Sequence, residues 1–326
     1  MAIEMAINAV EMATKMEGVF LSDKWKDYQI IDAGNGEKLE RWGTITVIRP
    51  DPQIIWPPLL LYNKNSPNIS NRKDIDVWQN AHMRYHRSKS GGGHWESLKK
   101  ATVNWTVTYD DMTFNIRPTD FKHMGLFPEQ AANWDWAANL ISCENRPIRV
   151  LNLFGYTGGA TVACLKSNAE VTHVDAAKGM NQWAKENIRL SGLSDLFNQS
   201  GKLRILTDDV FKFVQREARR GHKYDAIIMD PPSYGRGPSG EVWKLENRLF
   251  ELIRHCVDIL SDKPLFMLVN TYTAGFTHTA TENILKLSLF QAGYAQPHII
   301  GGTLGLPISN SGLILPCGTC VRVTFA

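Results

Sequence analysis

Cysteine is scarce and scattered in this chain, and an excess of charge of one sign is almost absent. The five cysteines are Cys143, Cys164, Cys256, Cys317 and Cys320. An odd, dispersed set excludes a disulfide-framed secreted domain and fits a reducing compartment. Cys317-Gly-Thr-Cys320 is the one CxxC, and no second pair completes a zinc site. On the strand predicted there, the two residues lie about 10 Å apart on opposite faces, too far for a bridge. No metal is expected. Runs of ~18 apolar residues are also missing, so no membrane-spanning helix is expected. Residues 1–16 carry Glu4 and Glu11 without a basic n-region, so no signal peptide is expected and the cytoplasm is favoured. A net charge of +3 is too small to identify a nucleic-acid partner by itself.

What is present falls into two parts. A chain of 326 residues has room for one large domain and a smaller one. Ile3, Ile7 and Val10 sit at helical spacing and predict a short docking helix. Residues 17–116 read as short β segments. Tyr28–Ile31 and Leu39–Trp42 flank Gly34-Asn-Gly36, a hairpin signal, and Trp105–Tyr109 and Met112–Ile116 flank Asp110-Asp111. Thr44–Ile48 reads as a strand stopped by Arg49-Pro50. A long loop region is expected between, ending in the mobile Gly91-Gly-Gly93. From residue 148 the pattern changes to alternation. Strands are expected at Arg149–Leu153, Val171–Asp175, Leu203–Leu206, Tyr224–Met229, Leu265–Val269, Ile299–Ile300 and Cys320–Phe325. Helices are expected at Met180–Leu190, Val210–Ala218 and Glu246–Leu260. Alternation of this kind means an α/β fold, a doubly wound parallel sheet covered on both faces. The domains are therefore drawn as 1–118, mainly β, and 119–326, α/β.

Two turns carry the chemistry. The first expected strand runs Val150-Leu-Asn152-Leu-Phe154 and turns through Gly155-Tyr156-Thr157-Gly158-Gly159 into a helix. Glycines permit a tight turn and close ligand approach, and a helix start offers amides and a positive dipole end. Asp175, at a strand end 20 residues after Gly155, is placed to bind two ribose hydroxyls. Asp208-Asp209 ends a third strand, placed to reach an adenine edge. A nicotinamide dinucleotide would also use such a set, but Gly155-x-x-Gly158-Gly159 is not GxGxxG. The second turn, Asp230-Pro231-Pro232-Ser233-Tyr234, follows the buried strand Tyr224–Met229. Two prolines make it stiff and extended, and it holds one carboxylate in place. Hydride transfer has no use for it. It suits a planar group that bears an amine.

Together these residues resemble the class I S-adenosylmethionine-dependent methyltransferases, and within them the branch of ribosomal RNA large-subunit base methyltransferases. The resemblance rests on Leu151–Gly159, Val174-Asp175, Asp209-Val210-Phe211 and Asp230-Pro-Pro232, with Gly125-Leu-Phe127-Pro-Glu129-Gln130 upstream. It covers residues 119–326. It implies a Rossmann-like seven-stranded sheet with the last strand antiparallel. S-adenosylmethionine would be cradled by Asn152 and Phe154–Gly159, held by Asp175 and Ala176 at the ribose, and met by Asp208, Asp209 and Val210 at the adenine. Phe127, Glu129, Gln130 and Asp230 would touch it as well. Ala131 stands where that branch usually has arginine.

The residues also bear on the methylated atom. Attack through carbon 5 of cytosine needs a cysteine nucleophile, which in such enzymes stands after the fourth or fifth strand. Neither place has one here. Attack through nitrogen needs in-line positioning and acceptors for the amine protons, a role that fits Asp230 and the Pro231 carbonyl. Tyr234 is placed to stack on a base. Amine-directed enzymes usually have the aromatic immediately after the second proline, whereas Ser233 intervenes here. The stretch Met83–Lys100 interleaves Arg84, Arg87, Lys89 and Trp95 with further basic and aromatic residues, suited to phosphates and bases. RNA, ribosomal RNA first, is the expected partner. A small molecule or protein side chain as acceptor, and a cofactor-binding RNA module without chemistry, remain as alternatives.

Overall fold

Strands buried on both faces build a parallel sheet, and three segments here have that character. Every residue is buried in Ala226–Met229 and in Phe266–Thr271, and four of five in Arg149–Leu153. The computed structural model describes residues 18–58, 76–88, 92–100, 104–236, 242–294 and 296–325. Its strands are β1 (Val19–Leu21), β2 (Tyr28–Gly34), β3 (Glu37–Trp42), β4 (Ile45–Pro50), β5 (Met83–Arg87), β6 (Gly93–Ser97), β7 (Trp105–Tyr109), β8 (Met112–Ile116), β9 (Arg149–Leu153), β10 (Glu170–Asp175), β11 (Leu203–Thr207), β12 (Ala226–Met229), β13 (Tyr234–Arg236), β14 (Val242–Lys244), β15 (Phe266–Thr271), β16 (His298–Pro307) and β17 (Ile314–Thr324). The helix expected around Ile3, Ile7 and Val10 lies outside the described residues.

The large sheet has the order β1-β16-β17-β15-β12-β9-β10-β11. Strands β9 to β12 and β15 pair in parallel, and β17 runs antiparallel to β15. The expected seven strands are all there, and β1 adds an eighth at the edge. β16 is much longer than the Ile299–Ile300 read from sequence. Helix Leu245–Asp258 packs on both Val210–Arg220 and His278–Gln291, and Gly159–Lys166 packs on Lys178–Leu190. Leu151, Ile227, Met267 and Val323 belong to the core these layers enclose.

The chain divides into two units. One holds Met1–Phe20, Ala132–Leu304 and Cys317–Ala326; the other holds Leu21–Ala131 and Gly305–Pro316. The second unit runs on to Ala131, past the boundary expected at 118, and takes in the twelve residues Gly305–Pro316. That unit contains the five-stranded sheet β2-β3-β4-β5-β6 and the β7-β8 pair. Asn35 and Gly36 both have positive φ, which closes the β2-β3 hairpin in the twist such two-residue turns prefer. Arg49, read as a strand stop, is instead inside β4 and buried. It grips Glu40 through Nε at 2.5 Å and Nη2 at 2.7 Å, and Tyr28 adds its hydroxyl at 2.6 Å. Burial opposes the Glu40 charge, but Arg49 and Lys38 hold its pKa down at about 2.

The basic stretch differs from its sequence reading. Met83–Arg87 and Gly93–Ser97 are paired strands, with Arg84 opposite Glu96 and Tyr85 opposite Trp95. Tyr85 is buried and its ring meets Trp95 at 5.3 Å. Alternation of side chains along a strand explains the difference: Tyr85 and Trp95 turn one way, and Arg84 and Glu96 the other.

Candidate active site

The glycine turn and the acid-proline turn follow neighbouring strands at the point where strand order reverses. β9 lies between β10 and β12, and Leu153 is level with Met229. Phe154 and Asp230, the next residues, therefore leave the sheet side by side. Ligands of open α/β sheets bind at such a switch point.

The glycine turn is shaped by internal packing. Phe154, Tyr156 and Gly158 all have positive φ, at 56°, 50° and 84°. For Phe and Tyr that is a strained backbone, of the kind held in place only by its surroundings. A Cβ at Gly155 would lie 2.4 Å from the His173 ring, one at Gly158 2.9 Å from Ala184 Cβ, and one at Gly159 2.6 Å from the Trp134 ring. All three glycines are therefore needed before any ligand arrives. Asn152 donates through Nδ2 to Thr161 Oγ1 at 2.9 Å, and that hydroxyl meets His173 Nδ1 at 2.8 Å. The Asn152 side chain thus serves a buried chain of polar groups beneath the turn. Burial pushes the His173 pKa down to about 4. No described side chain caps the helix that begins at Gly159.

Asp175 ends β10 beside this turn. Its Oδ2 accepts from the Tyr156 amide at 2.9 Å and its Oδ1 from the Ala177 amide at 2.8 Å. Burial raises its pKa, against the pull of those two amides. A carboxylate has about four acceptor sites, so both oxygens retain capacity for the hydroxyls of a ribose. Ala176 beside it is exposed. Asp209 caps the helix Val210–Arg220, accepting from the Lys212 amide at 2.8 Å, and Val210 is buried. Asp208 pairs with Arg216. Both acids thus have structural partners that the sequence reading did not assign.

Helix Lys178–Leu190 supplies support that sequence reasoning missed. Asn181 donates through Nδ2 to Thr207 Oγ1 at 2.8 Å and to the Asp175 carbonyl at 3.1 Å. Asn187 donates to the Thr157 carbonyl at 2.8 Å, and Ala184 is the residue that Gly158 abuts. Positions 181, 184 and 187 share one helical face. Two buried asparagines on a face otherwise made of Trp183, Ala184 and Ile188 are the available signal.

The acid-proline turn is held from several sides. Trp243 donates through its indole N–H to the Pro232 carbonyl at 2.5 Å. Ser233 accepts from Leu245 N through its carbonyl at 3.1 Å and from Thr273 Oγ1 through its hydroxyl at 2.6 Å. Pro231 is buried, Asp230 half-buried, and Tyr234 53% exposed at the start of β13. Further along the same sheet edge lies a buried polar group. Asn133 donates to Asn270 Oδ1 at 3.0 Å, and its own Oδ1 accepts from Arg322 Nη2 at 2.8 Å and from Cys320 Sγ at 3.3 Å. Burial, with the Asp230 charge adding to it, pushes the Cys320 thiol up to about 11 against the pull of Arg322. Cys256 is buried within its helix and its thiol is also driven upward. Neither thiol is a ready nucleophile.

The remaining expected residues lie in the other unit. Phe127 precedes the turn Pro128–Gln130, where Glu129 and Gln130 are buried. Arg84 is engaged by Glu37 through two contacts, and Trp95 donates to the Thr119 carbonyl at 2.9 Å. Arg87 is exposed. Lys89 lies outside the described residues.

The profile of the S-adenosylmethionine-dependent methyltransferases matches residues 77–270, more than half of the chain. The chain belongs to this family. A methyltransferase of this type from Agrobacterium tumefaciens shares 36% identity, with a TM-score of 0.83 over 94% of this chain and 93% of that one. Among curated relatives, Ribosomal RNA large subunit methyltransferase I of Erwinia tasmaniensis is 42% identical over 87 residues, which are 26% of this chain and 21% of that protein. Ribosomal RNA large subunit methyltransferase K/L of Syntrophotalea carbinolica is 26% identical over 192 residues, 58% of this chain and 25% of that protein. The chain thus spans a quarter or less of the length of these two relatives. S-adenosylmethionine is the family's cofactor, and the acceptor capacity left on both Asp175 oxygens at the strand end fits its ribose. No helix among the described residues is long and apolar enough to cross a membrane.

Proposed function

We propose that this chain methylates a nitrogen of an RNA nucleobase, with ribosomal RNA the favoured acceptor. The observation that carries the reading is the adjacency of the two turns: Phe154 and Asp230 leave paired strands at the same level. S-adenosylmethionine, when bound, supplies an electrophilic methyl group on a sulfonium. The turn 154–159 would hold its methionine part, Asp175 its ribose, and Asp208–Val210, at the junction of β11 and the helix that follows, its adenine. Asp230 orients the acceptor amine and takes up or relays its proton, which is positioning and general-base work. The high thiol pKa values of Cys320 and Cys256 favour nitrogen over a route through a cysteine adduct.

A base must leave its stack to reach this edge, which costs a few kcal/mol. Stacking on an aromatic face returns about 1–3 kcal/mol per base, and Tyr234 offers an exposed one. Arg87 gives the RNA backbone an exposed cation, while Arg84 is already engaged by Glu37. The names of the curated relatives support RNA as the acceptor class. Incubation with methyl-labelled cofactor and either total RNA or a protein and metabolite extract tests the reading. Label is expected in RNA. Label confined to protein or small molecules overturns the RNA acceptor, and tight cofactor binding without transfer to anything overturns the chemistry.

A further inference from the structure

Besides packing against the core, the Trp243 indole makes two directed contacts among the described residues, one of them its bond to the acid-proline turn. Trp243 lies on β14, opposite Gly235 of β13. The pairing folds it back over the turn it follows, where its N–H reaches the Pro232 carbonyl at 2.5 Å. The other contact is with Phe154: the two rings lie 5.3 Å apart, tilted by 56°. Phe154 is the first residue of the cofactor turn and has a left-handed φ of 56°. A single side chain therefore touches both halves of the site.

We infer that Trp243 is a positioning residue that couples the order of the acceptor turn to that of the cofactor turn. This rests on the proposed role of Asp230. The geometry gives the coupling a physical route. Phe154 keeps a strained backbone only while its neighbours hold it, and the Trp243 ring is one of them. A ligand that fixes residues 154–159 fixes the Phe154 ring, and through it the indole. The indole N–H then fixes the Pro232 carbonyl, two residues from the Asp230 carboxylate. Thr273 and Leu245 brace the same turn at Ser233, through a hydroxyl and a backbone amide. Placement of the acceptor carboxylate would then improve when cofactor is bound, favouring the order cofactor first, acceptor second.

Hydrogen exchange on the whole chain, with and without S-adenosylhomocysteine, tests this without any acceptor. Wild type should show exchange slowed several-fold at 154–159, at 233–236 and at 242–246. Trp243→Ala should still bind the ligand and still slow at 154–159, but lose the response at 233–236. Equal slowing there in wild type and Trp243→Ala, or none in wild type, overturns the inference. Trp243→Phe keeps an aromatic ring, though a smaller one, and removes the N–H that reaches Pro232, covering a failure of the alanine variant to fold. It should leave cofactor affinity within about twofold and lower kcat for methyl transfer several-fold; an unchanged kcat also overturns the inference. If wild type labels no RNA, the RNA reading fails while the exchange result still judges Trp243.

Discussion

The two turns sit on adjacent strands at one sheet edge, yet they are fixed by different means. The cofactor turn is shaped by exclusion. Its glycines abut His173, Ala184 and Trp134 so closely that a methyl group on any of them collides. The acceptor turn is shaped by attachment. Its prolines stiffen it, and hydrogen bonds from Trp243, Leu245 and Thr273 pin it. A binding cradle has to stay open where the ligand lies, and steric walls behind it achieve that. An acceptor turn has to hold a carboxylate in one orientation, and directional bonds do this better. Substitutions in the first should therefore act on stability and affinity together, and those in the second on rate.

The largest effect expected is Asp230→Ala. Transfer should fall about a thousandfold or more, the scale of a lost proton acceptor and orienter, while calorimetric affinity for S-adenosylhomocysteine changes only a few-fold. Parallel loss of affinity would merge the two turns into one functional unit. Acid comes next. His173 titrates near 4 in the fold against 6.5 when free, so the unfolded chain binds the extra proton first. The stability it confers is complete above pH 6.5 and is lost as pH falls through 4, amounting to about 3 kcal/mol. Hydrogen exchange should show the cofactor turn, which rests on His173, opening before the acceptor turn on acidification. Gly155→Ala, with its new methyl against that ring, should cost about 2 kcal/mol in urea unfolding and weaken cofactor binding. Thr273→Val is the mildest. It removes the hydroxyl donated to Ser233, about 1 kcal/mol, and should lower kcat several-fold with the cofactor Kd unchanged.

The same contrast explains what the sequence revealed. Gly155, Gly158, Gly159, Asp175 and Asp230 were legible because each is a local departure: a missing side chain, or an acid at the end of an apolar strand. The parallel sheet followed from strand–helix alternation, and β12 is an unbroken apolar run. Trp243, Asn133, Asn181 and Asn187 were not legible as site residues, because their partners lie far away in the chain or in the next element. Asp209 was read toward adenine; an acid just before an apolar helical run is also an N-cap signature, and its Oδ1 accepts from the Lys212 amide. The basic stretch 83–100 was read as a loop. Its glycines and charges hid the alternation that puts Tyr85 inward and pairs Arg84 with Glu37.

The central claim is that Asp230 presents a base nitrogen of RNA to the methyl group. Digestion of methyl-labelled RNA to nucleosides, followed by mass spectrometry, tests it most directly. The account predicts a labelled N-methyl nucleoside with wild type and none with Asp230→Ala. A labelled C-methyl nucleoside, or undiminished labelling by Asp230→Ala, would contradict it.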